Sequence, residues 1–423
     1  MLSAESPVLR EIVLIGGGHS HVVVLRAFAM RPAPGVRLTV ICTDTDTPYS
    51  GMLPGYIAGH YDFDQVHIDL RRLAEAAGAR YYRDEVSGID RAARRVLCRQ
   101  RPPVPYDVLS INVGSTPQLA AVRGAAAHAI PVKPIQRFNQ RWLALLARVR
   151  DHAAPLVIAV VGAGAGGVEL TLAMQYRLRR ERSAQGRNPD ELTFHLFCAG
   201  PQILATHNAQ VRRSFERVLA ERGVKVHRDA EVVEVGAGRL LTRGGESLLA
   251  DKIVWVTQAG GAAWFAGTRL ALDASGFIRV SDTLQSESDP LIFAAGDCAA
   301  MTSRQLEKAG VFAVRMGKPL AENLRRSVYR QPLLPYRPQS RWLALISTGD
   351  RHAIASRGRL RSAAASPARR FSGIGANSLK RRMKRRSIQS FQRQTQSPRA
   401  NSRPREAMAW RSPVLISASQ RDC

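Results

Sequence analysis

The chain has 423 residues, of which 45% are hydrophobic and 23% charged, and its formal net charge is +28 at pH 7. This length predicts about three domains with buried cores. No run of about 20 apolar residues lacks glycine or charge, and the N-terminus shows no signal-peptide pattern, so a membrane-spanning or secreted protein is not expected. We predict a cytoplasmic protein that contacts the inner face of the membrane peripherally at most.

The cysteines are scattered singly along the chain, at Cys42, Cys98, Cys198, Cys298 and Cys423. None belongs to a CxxC or CxxxxC pair, the spacings typical of a redox disulfide or of half a zinc site. We therefore predict reduced, mostly buried thiols and no metal centre.

Residues 11–61 begin with a strand, a glycine turn and the helix "HVVVLRAFAM", followed by the strand "RLTVIC" and a long loop. This order predicts a βαβ unit. In the turn, Gly16 permits the tight bend and Gly18 lets backbone approach a pyrophosphate, while His21 stands where a packing glycine is expected. Because only the packing position differs, we expect phosphate binding to be kept.

Residues 79–117 are predicted to form short antiparallel strands and then a buried strand, "YDVLSINVGSTP". After the helix "RFNQRWLALLARVRDH", a second pattern of strand, turn and helix opens with "PLVIAVVGAGAGGVELTLAMQYRL". Here Gly162, Gly164 and Gly167 occupy the bend, phosphate and packing positions. One such glycine pattern is weak evidence, but two copies between apolar strands and helices predict two dinucleotide sites.

Residues 357–423 differ from the rest of the chain. They hold 17 of the 62 Lys and Arg residues and two of the 34 acidic residues, which places +15 of the net charge there. With no sustained helical or strand period, this Arg- and Ser-rich tail is predicted to be disordered or nearly so. It is a nucleic-acid or membrane arm, a solvated tail, or the product of a frameshift. We favour the frameshift and expect no nucleic-acid partner.

Four features together resemble the pyridine nucleotide-disulfide oxidoreductase superfamily, whose members are flavoproteins with two dinucleotide sites. They are the two glycine turns, "INVGSTP" at 111–117 and "IFAAGD" at 292–297. The stretches "GGGHSHVVVLR", "TPYSGMLPGYIAGHY" and "KAGVFAVRMGKPLAENLR" are most similar to the flavoprotein domain fused to selenide, water dikinase in some bacteria. Type II NADH dehydrogenases are similar at a greater distance.

The resemblance implies an α/β fold with two Rossmann-like dinucleotide-binding domains, in which the FAD domain is split by an inserted NAD(P)H domain. A truncated C-terminal interface region follows. The predicted segments are 1–120 (FAD domain, first part), 121–268 (NAD(P)H domain), 269–330 (FAD domain, second part), 331–356 (start of the interface domain) and 357–423 (tail).

The resemblance also implies two cofactors, FAD and NAD(P)H. The cofactor-binding residues that it indicates are Gly16, Gly18, His21, Asp44, Gly114, Gly162, Gly164, Gly167, Gly296 and Asp297. In the second flavin motif, Asp297 meets the ribityl and pyrophosphate region and Gly296 lets backbone come close. Asp44, after the second strand, either holds the adenosine ribose or belongs to a surface loop.

Two residues are candidates for a part in catalysis. Glu169, in the first helical turn after Gly167, is either a partner of the helix dipole or a carboxylate near the nicotinamide. Lys308 either stabilises reduced flavin or is a solvated helix charge. The choice between NADH and NADPH stays open, because "FCAG" offers no carboxylate for a ribose, while Arg212 and Arg213 are candidates for binding a 2′-phosphate.

Two departures from the family narrow the reaction. The loop "TPYSGMLPGYIAGHY" holds no cysteine where disulfide reductases carry a CxxxxC helix, which excludes that mechanism. The stretch "AGVFAV" lacks both glutamines of the AQxxxQ quinone motif of type II NADH dehydrogenases. We predict an FAD-dependent NAD(P)H dehydrogenase that passes hydride to flavin N5 and on to a small-molecule acceptor, a quinone among the candidates. The alternative is a weakly catalytic or non-catalytic flavoprotein accessory to selenium metabolism.

Overall fold

A computed structural model describes residues 7–151, 154–257, 259–340, 342–357 and 370–371. The α-helices in these ranges are α1 (His19–Met30), α2 (Leu53–Ile57), α3 (Phe63–Val66), α4 (Leu70–Ala76), α5 (Ala125–His128), α6 (Ile135–Asp151), α7 (Ala165–Ala184), α8 (Ala209–Glu221) and α9 (Gly310–Val328). Short 3-10 turns occupy Ser50–Met52, Leu119–Ala121, Pro189–Glu191, Ala263–Thr268 and Gly296–Cys298.

The strands of the same ranges are short and number along the chain as β1 (Arg10–Ile15), β2 (Val36–Cys42), β3 (Asp46–Pro48), β4 (His67–Asp69), β5 (Arg80–Arg83), β6 (Val86–Asp90), β7 (Arg95–Cys98), β8 (Val104–Pro105), β9 (Val108–Ile111), β10 (Thr116–Pro117), β11 (Ile130–Pro131), β12 (Leu156–Val161), β13 (Leu192–Phe197), β14 (Lys225–His227), β15 (Val232–Gly236), β16 (Arg239–Thr242), β17 (Ser247–Leu249), β18 (Lys252–Trp255), β19 (Ala259–Gly260), β20 (Ile278–Val280), β21 (Gln285–Ser286), β22 (Asp289–Ala294), β23 (Ala299–Met301), β24 (Leu343–Ser347), β25 (Ala353–Arg357) and β26 (Arg370–Phe371).

The first large sheet contains eight strands in the order β23-β20-β21-β22-β9-β1-β2-β5. Its central strand β1 runs parallel to both neighbours, β9 and β2. Residues 11–15 of β1 are buried. A strand between parallel neighbours is covered on both faces and needs a continuous apolar run, which "IVLI" supplies. The helices α1 and α9 pack against each other beside this sheet.

The second large sheet contains five parallel strands in the order β11-β18-β12-β13-β14. Successive residues of β12 point to opposite faces of this sheet, and each face has its own hydrophobic cluster. Ile158 and Val160 join the cluster that includes Leu170 of α7. Ala159 and Val161 join a cluster formed with the antiparallel sheet of β15, β16 and β17. The second sheet is therefore covered on both faces, as a parallel sheet requires.

Two separate segments of the chain form the first sheet. The chain leaves it after β9, forms the second sheet, and returns with β20 to β23, where β22 pairs parallel to β9 with Ile292 opposite Leu109. This order is that of one Rossmann-like unit inserted into another. The predicted fold class, α/β with two such units and a split first unit, is confirmed. The segment boundaries at 120, 268, 330 and 356 stay predictions.

One part of the predicted strand order is wrong. Residues 80–83 form β5, which is parallel to β2 and lies at the edge of the first sheet, with Arg80 opposite Thr39. We expected this stretch to belong to an antiparallel group, and only β6, β7 and β8 do so. The helix α4, before β5, provides the crossover connection that a parallel pair needs.

The C-terminal part of the described chain is a hairpin of β24 and β25, to which β26 adds an antiparallel strand. The predicted tail, 357–423, lies outside the described residues except for Arg357 and the strand Arg370–Phe371, where disorder was expected. The frameshift hypothesis likewise concerns residues that the structure does not describe. Across the ranges it does describe, no helix is both long enough and apolar enough to span a membrane.

Candidate functional site

The first glycine turn connects β1 to α1. Gly16 has a φ of +91°, in the left-handed region that favours glycine. A Cβ on Gly16 would lie 2.6 Å from the backbone oxygen of Asn112. Gly18 caps α1 without any side-chain hydrogen bond at the cap. A Cβ on Gly18 would lie 2.0 Å from Oδ1 of Asn112, so the turn packs closely against that residue. The positive end of the α1 dipole is the part of the turn that attracts a phosphate.

The second glycine turn connects β12 to α7 and repeats this arrangement. Gly162 has a φ of +115°, and Gly164 caps α7 without a side-chain hydrogen bond. A Cβ on Gly164 would meet no atom within 4 Å, whereas a Cβ on Gly167 would lie 1.7 Å from the backbone oxygen of Gly162. These positions have the geometry of the bend, the phosphate approach and the close packing of helix on strand.

His21 occupies the third position of the first turn, equivalent to Gly167. Its side chain is fully buried. The ring lies 2.7 Å from the Gly16 oxygen through Nδ1 and 2.8 Å from the Ser110 hydroxyl through Nε2. A neutral ring that donates from Nδ1 and accepts at Nε2 satisfies both contacts. Burial lowers the pKa of His21 to about 4, which favours this neutral form. In the second turn, Gly167 packs directly against the backbone of Gly162. In the first turn, the His21 ring lies at the equivalent place and bonds to the Gly16 oxygen.

Asn112 joins the first turn to the second flavin motif, and sequence reasoning missed it. It is buried after β9, at the start of "NVG". Its backbone oxygen accepts from the N–H of Gly18 at 3.1 Å, and its side-chain amide donates to the Ala295 oxygen at 2.5 Å. Its Oδ1 also lies 3.5 Å from the N–H of His21. Two signals pointed to it: its place within "INVGSTP" and its position at the carboxyl end of an interior strand, where ligands of such sheets bind.

The second flavin motif follows β22 in the same sheet. Gly296 has a φ of +71°, and a Cβ there would lie 2.5 Å from the side-chain nitrogen of Asn112. The Asp297 carboxylate forms an ion pair with Lys133 at 2.9 Å. Lys133 also donates to the Ser115 hydroxyl at 2.7 Å. Neither Lys133 nor Ser115 was a predicted site residue, although Ser115 lies within "INVGSTP".

The atoms around the first turn fit a dinucleotide such as FAD. His19 is the first residue of α1, and its ring packs edge-on against Tyr49 with 4.9 Å between centroids. Its Nε2 atom is buried and has no hydrogen-bond partner among the residues that the structure describes. A buried polar atom left unpaired is unfavourable, so a ligand that bonds to it is favoured. Burial lowers the pKa of His19 to about 4, although nearby Asp297 acts in the opposite direction.

Two other predicted cofactor residues lie at the periphery of this arrangement. Gly114 has a φ of +77°, and a Cβ there would meet no atom within 4 Å. Asp44 lies two residues beyond β2, where its side chain accepts from the Thr43 hydroxyl at 3.0 Å and its backbone oxygen accepts from Tyr81 at 2.8 Å. This position is compatible with a residue that holds the adenosine ribose and with a residue of a surface loop. The contact of Asp44 with a ribose therefore stays a prediction.

The two candidate catalytic residues have defined partners. The Glu169 carboxylate, in the first turns of α7, accepts from the backbone N–H of Ser347 at 2.6 Å, which ties the β24–β25 hairpin to α7. Lys308 precedes α9 instead of lying within it. Its ammonium donates to the Ala299 oxygen at 2.6 Å and lies 3.8 Å from the centre of the Phe277 ring. Catalytic roles for Glu169 and Lys308 stay predictions.

Of the arginines considered for a 2′-phosphate, Arg212 is engaged locally. It donates to the backbone oxygen of His207 at 2.6 Å. His207 lies just before α8 and its ring contacts the Ser356 hydroxyl at 2.8 Å. Nothing in these contacts decides between NADH and NADPH.

Two solved structures show which fold this chain shares. The chain superposes on NDH2 from Plasmodium falciparum in complex with NADH with a TM-score of 0.76, 12% sequence identity and coverage of 91% of this chain and 96% of the other. The sulfide:quinone oxidoreductase of Aquifex aeolicus gives a TM-score of 0.72, 16% identity and 91% coverage of each chain. At these identities the likeness shows the fold alone.

Sequence relatives agree with this fold. The NADH dehydrogenase-like protein YutJ of Bacillus subtilis is 25% identical over 311 residues, which cover 71% of this chain and 81% of the relative. The type II NADH:quinone oxidoreductase of Haemophilus influenzae is 27% identical over 263 residues, which cover 55% of this chain and 59% of the relative.

The sequence pattern of a known family matches residues 10–317, most of the chain. This match and the relatives confirm the predicted FAD-dependent NAD(P)H oxidoreductase and its cofactors, FAD and NAD(P)H. With two glycine turns at helix N-termini and an Asp297 motif returning to the first sheet, the chain belongs to the pyridine nucleotide-disulphide oxidoreductase family.

Proposed function

We propose that this chain oxidises NADH or NADPH and delivers the electrons through FAD to a small-molecule acceptor, for which a quinone is the leading candidate. The observation that carries the proposal is the pair of glycine turns, 16–21 and 162–167, each between a buried parallel strand and a helix that lacks a side-chain cap. The Haemophilus influenzae relative, named as a quinone oxidoreductase, supports the choice of acceptor.

In this proposal the first turn holds FAD and the second holds NAD(P)H. When bound, FAD supplies the redox centre that takes a hydride from a nicotinamide. The chain's own task is to place the two rings in register, which needs no side-chain acid or nucleophile. Gly18 and Gly164 are the N-caps of α1 and α7, and the helix N-termini that they open are the proposed sites of the two pyrophosphates. Asp297 is the proposed partner of the ribityl chain. Glu169 is the proposed carboxylate near the nicotinamide.

The cysteines support direct transfer from FAD to the acceptor. Cys42, Cys98, Cys198 and Cys298 are free thiols, so no disulfide lies among the described residues. Cys298, beside Asp297, is fully buried and its pKa is raised to about 11 by that burial. A thiol with so high a pKa is a poor nucleophile and a poor redox group. We therefore assign Cys298 a packing role.

The wider setting of the reaction is part of the proposal. A quinone dissolved in a bilayer is reached at the membrane surface, and the net charge of +13 on residues 1–356 favours contact with the anionic inner face. The resemblance of "GGGHSHVVVLR" and "TPYSGMLPGYIAGHY" to the domain fused to selenide, water dikinase supports a narrower role in selenium metabolism. A wild-type holoprotein that NAD(P)H does not reduce would favour this accessory role.

Gly164→Ala tests the nucleotide site apart from the fold. Because a Cβ at Gly164 meets no protein atom within 4 Å, the variant should keep the wild-type melting temperature and its FAD. The added methyl group lies where the pyrophosphate approaches, so we expect the Kd for NADH and for NADPH to rise about tenfold, or about 1.4 kcal/mol. Titration of the oxidised holoprotein with each nucleotide measures this change.

Gly267→Ala is the matched control, because a Cβ at Gly267 also meets nothing within 4 Å and this glycine lies in a 3-10 turn away from the second glycine turn. It should bind both nucleotides as the wild type does. Wild-type nucleotide affinity in Gly164→Ala would contradict the assignment of residues 162–167 as the nicotinamide cofactor site.

A further inference from the structure

Lys133 lies at the junction of the two Rossmann-like units. It follows β11, the edge strand of the second sheet, and the preceding Val132 donates to Trp255 of β18 at 3.1 Å. Its ammonium reaches Asp297 at 2.9 Å, in the turn that ends β22 of the first sheet. The backbone of Lys133 therefore belongs to one unit and its charge to the other.

We propose that Lys133 is a positioning residue for the flavin: it holds the Asp297 carboxylate in place, places a positive charge beside the bound FAD and links the FAD unit to the NAD(P)H unit. The inference rests on the proposed FAD site at residues 16–21 and 296–297 and adds a residue that no flavin motif of the sequence contains.

The bonds of Lys133 define the direction of its ammonium. One N–H donates to Asp297 and another to the hydroxyl of Ser115, which is buried beside Gly114. An ammonium has three N–H donors, so these bonds leave a third for a cofactor oxygen. Both partners belong to segments that border the first glycine turn, through Asn112 and Ala295. The charge is thus aimed at the region where FAD is proposed to bind.

The ion pair between Lys133 and Asp297 contributes little to the free energy of folding. The side chains of Lys133 and Asp297 are 37% and 18% exposed. Partly exposed pairs of this kind stabilise proteins by about 1 kcal/mol or less. FAD held at the proposed site would bring the two negative charges of its pyrophosphate towards Asp297, and a reduced flavin would carry more negative charge than an oxidised one. A cation at Lys133 offsets that repulsion.

Lys133→Met is the direct test, and because the pair contributes little to stability the variant is expected to fold. We expect the Kd for FAD of the full-length protein to rise about tenfold and the midpoint potential of the bound flavin to become more negative. Lys133→Arg, which keeps the charge, should restore affinity to within about threefold of the wild type. Lys225→Met, on the exposed edge of β14, is the control and should match the wild type in both measurements.

Asp297→Asn and the double variant establish whether the two residues act together. If Lys133 works through Asp297, the double variant should bind FAD no more weakly than the weaker single variant; effects that multiply would overturn the link. An unchanged FAD Kd and an unchanged potential in Lys133→Met would overturn the proposal as a whole.

Two further measurements test the role of Lys133 if the variant does not fold or if the protein is not reduced by nucleotide. If Lys133→Met does not fold, Ser115→Ala removes the second bond of the ammonium and leaves its charge; a rise in the FAD Kd of about threefold supports the proposal, and an unchanged Kd overturns it. A wild-type protein that retains FAD but is not reduced by NADH or NADPH would refute the proposed function while leaving this inference standing, because FAD affinity is measured without nucleotide.

Discussion

Gly167→Ala is expected to destabilise the protein by about 3 kcal/mol, the upper part of the range for overpacking a well-packed interior. A Cβ at Gly167 would lie 1.7 Å from the backbone oxygen of Gly162, and neither atom belongs to a flexible side chain. The helix α7 has to move away from β12 to make room. That movement opens the cluster in which Val168, Leu170 and Ile158 are buried.

Gly166→Ala is the matched control, because its Cβ would lie 3.6 Å from a Val256 methyl group, an ordinary contact. It should equal the wild type in stability or exceed it slightly, since alanine is the better helix former. Urea unfolding of the two holoproteins, followed by circular dichroism, measures the difference. A Gly167→Ala protein within about 0.5 kcal/mol of the wild type would show that the helix and strand are not packed as described.

Acidification is expected to destabilise the protein between pH 6.5 and pH 4 through His21. Burial lowers the pKa of His21 from its ordinary value of 6.5 to about 4 in the folded chain. In this window the unfolded chain binds a proton that the folded chain does not, so the free energy of unfolding falls as pH falls. Above pH 6.5 the contribution is constant. The loss attributable to His21 is about 3 kcal/mol by pH 4.

The variant His21→Gln carries no titratable group, so its stability should depend less steeply on pH in this window. Its stability at pH 7.5 is also expected to be lower, because glutamine does not reproduce both ring contacts with Gly16 and Ser110. The control for the change of residue type is His128→Gln, because His128 is exposed, and its stability at pH 7.5 should match that of the wild type. If His21→Gln and the wild type lose stability in parallel from pH 6.5 to pH 4, the buried neutral His21 is refuted.

The glycine turns and the split α/β fold could be predicted because their signals are local. An apolar strand, a glycine at the bend and a helix beginning three residues later occur within about 20 residues, and each reflects a backbone requirement. The return of the chain to the first sheet was predicted from "IFAAGD", whose residues 292–294 lie in β22 beside β9 and whose residues 296–297 lie in the 3-10 turn that follows. The parallel β5 was missed, because strand direction depends on a crossover that a short apolar run does not reveal.

The residues that connect the second flavin motif to the rest of the candidate site could not be predicted in the same way. Asn112, Lys133 and Ser115 meet partners 183, 164 and 18 positions away in the chain. The contact of Asn112 with Ala295 depends on β9 and β22 being neighbours in the first sheet. The contact of Lys133 with Asp297 depends on how the two units pack. Neither leaves a periodic or spacing signal. The same holds for Glu169, whose bond to Ser347 spans 178 positions. His21 was recognised as a departure from the glycine pattern, but its bonds to Gly16 and Ser110 appear only in the fold.

One chain is proposed to hold FAD and a nicotinamide nucleotide so that the nucleotide reduces the flavin. Anaerobic titration of the purified holoprotein with NADH, and separately with NADPH, tests it most directly, with the flavin absorbance as the signal. We expect at least one nucleotide to remove the oxidised-flavin band at about one equivalent per bound FAD. A flavin band that persists with both nucleotides, in a protein that binds them, would contradict it.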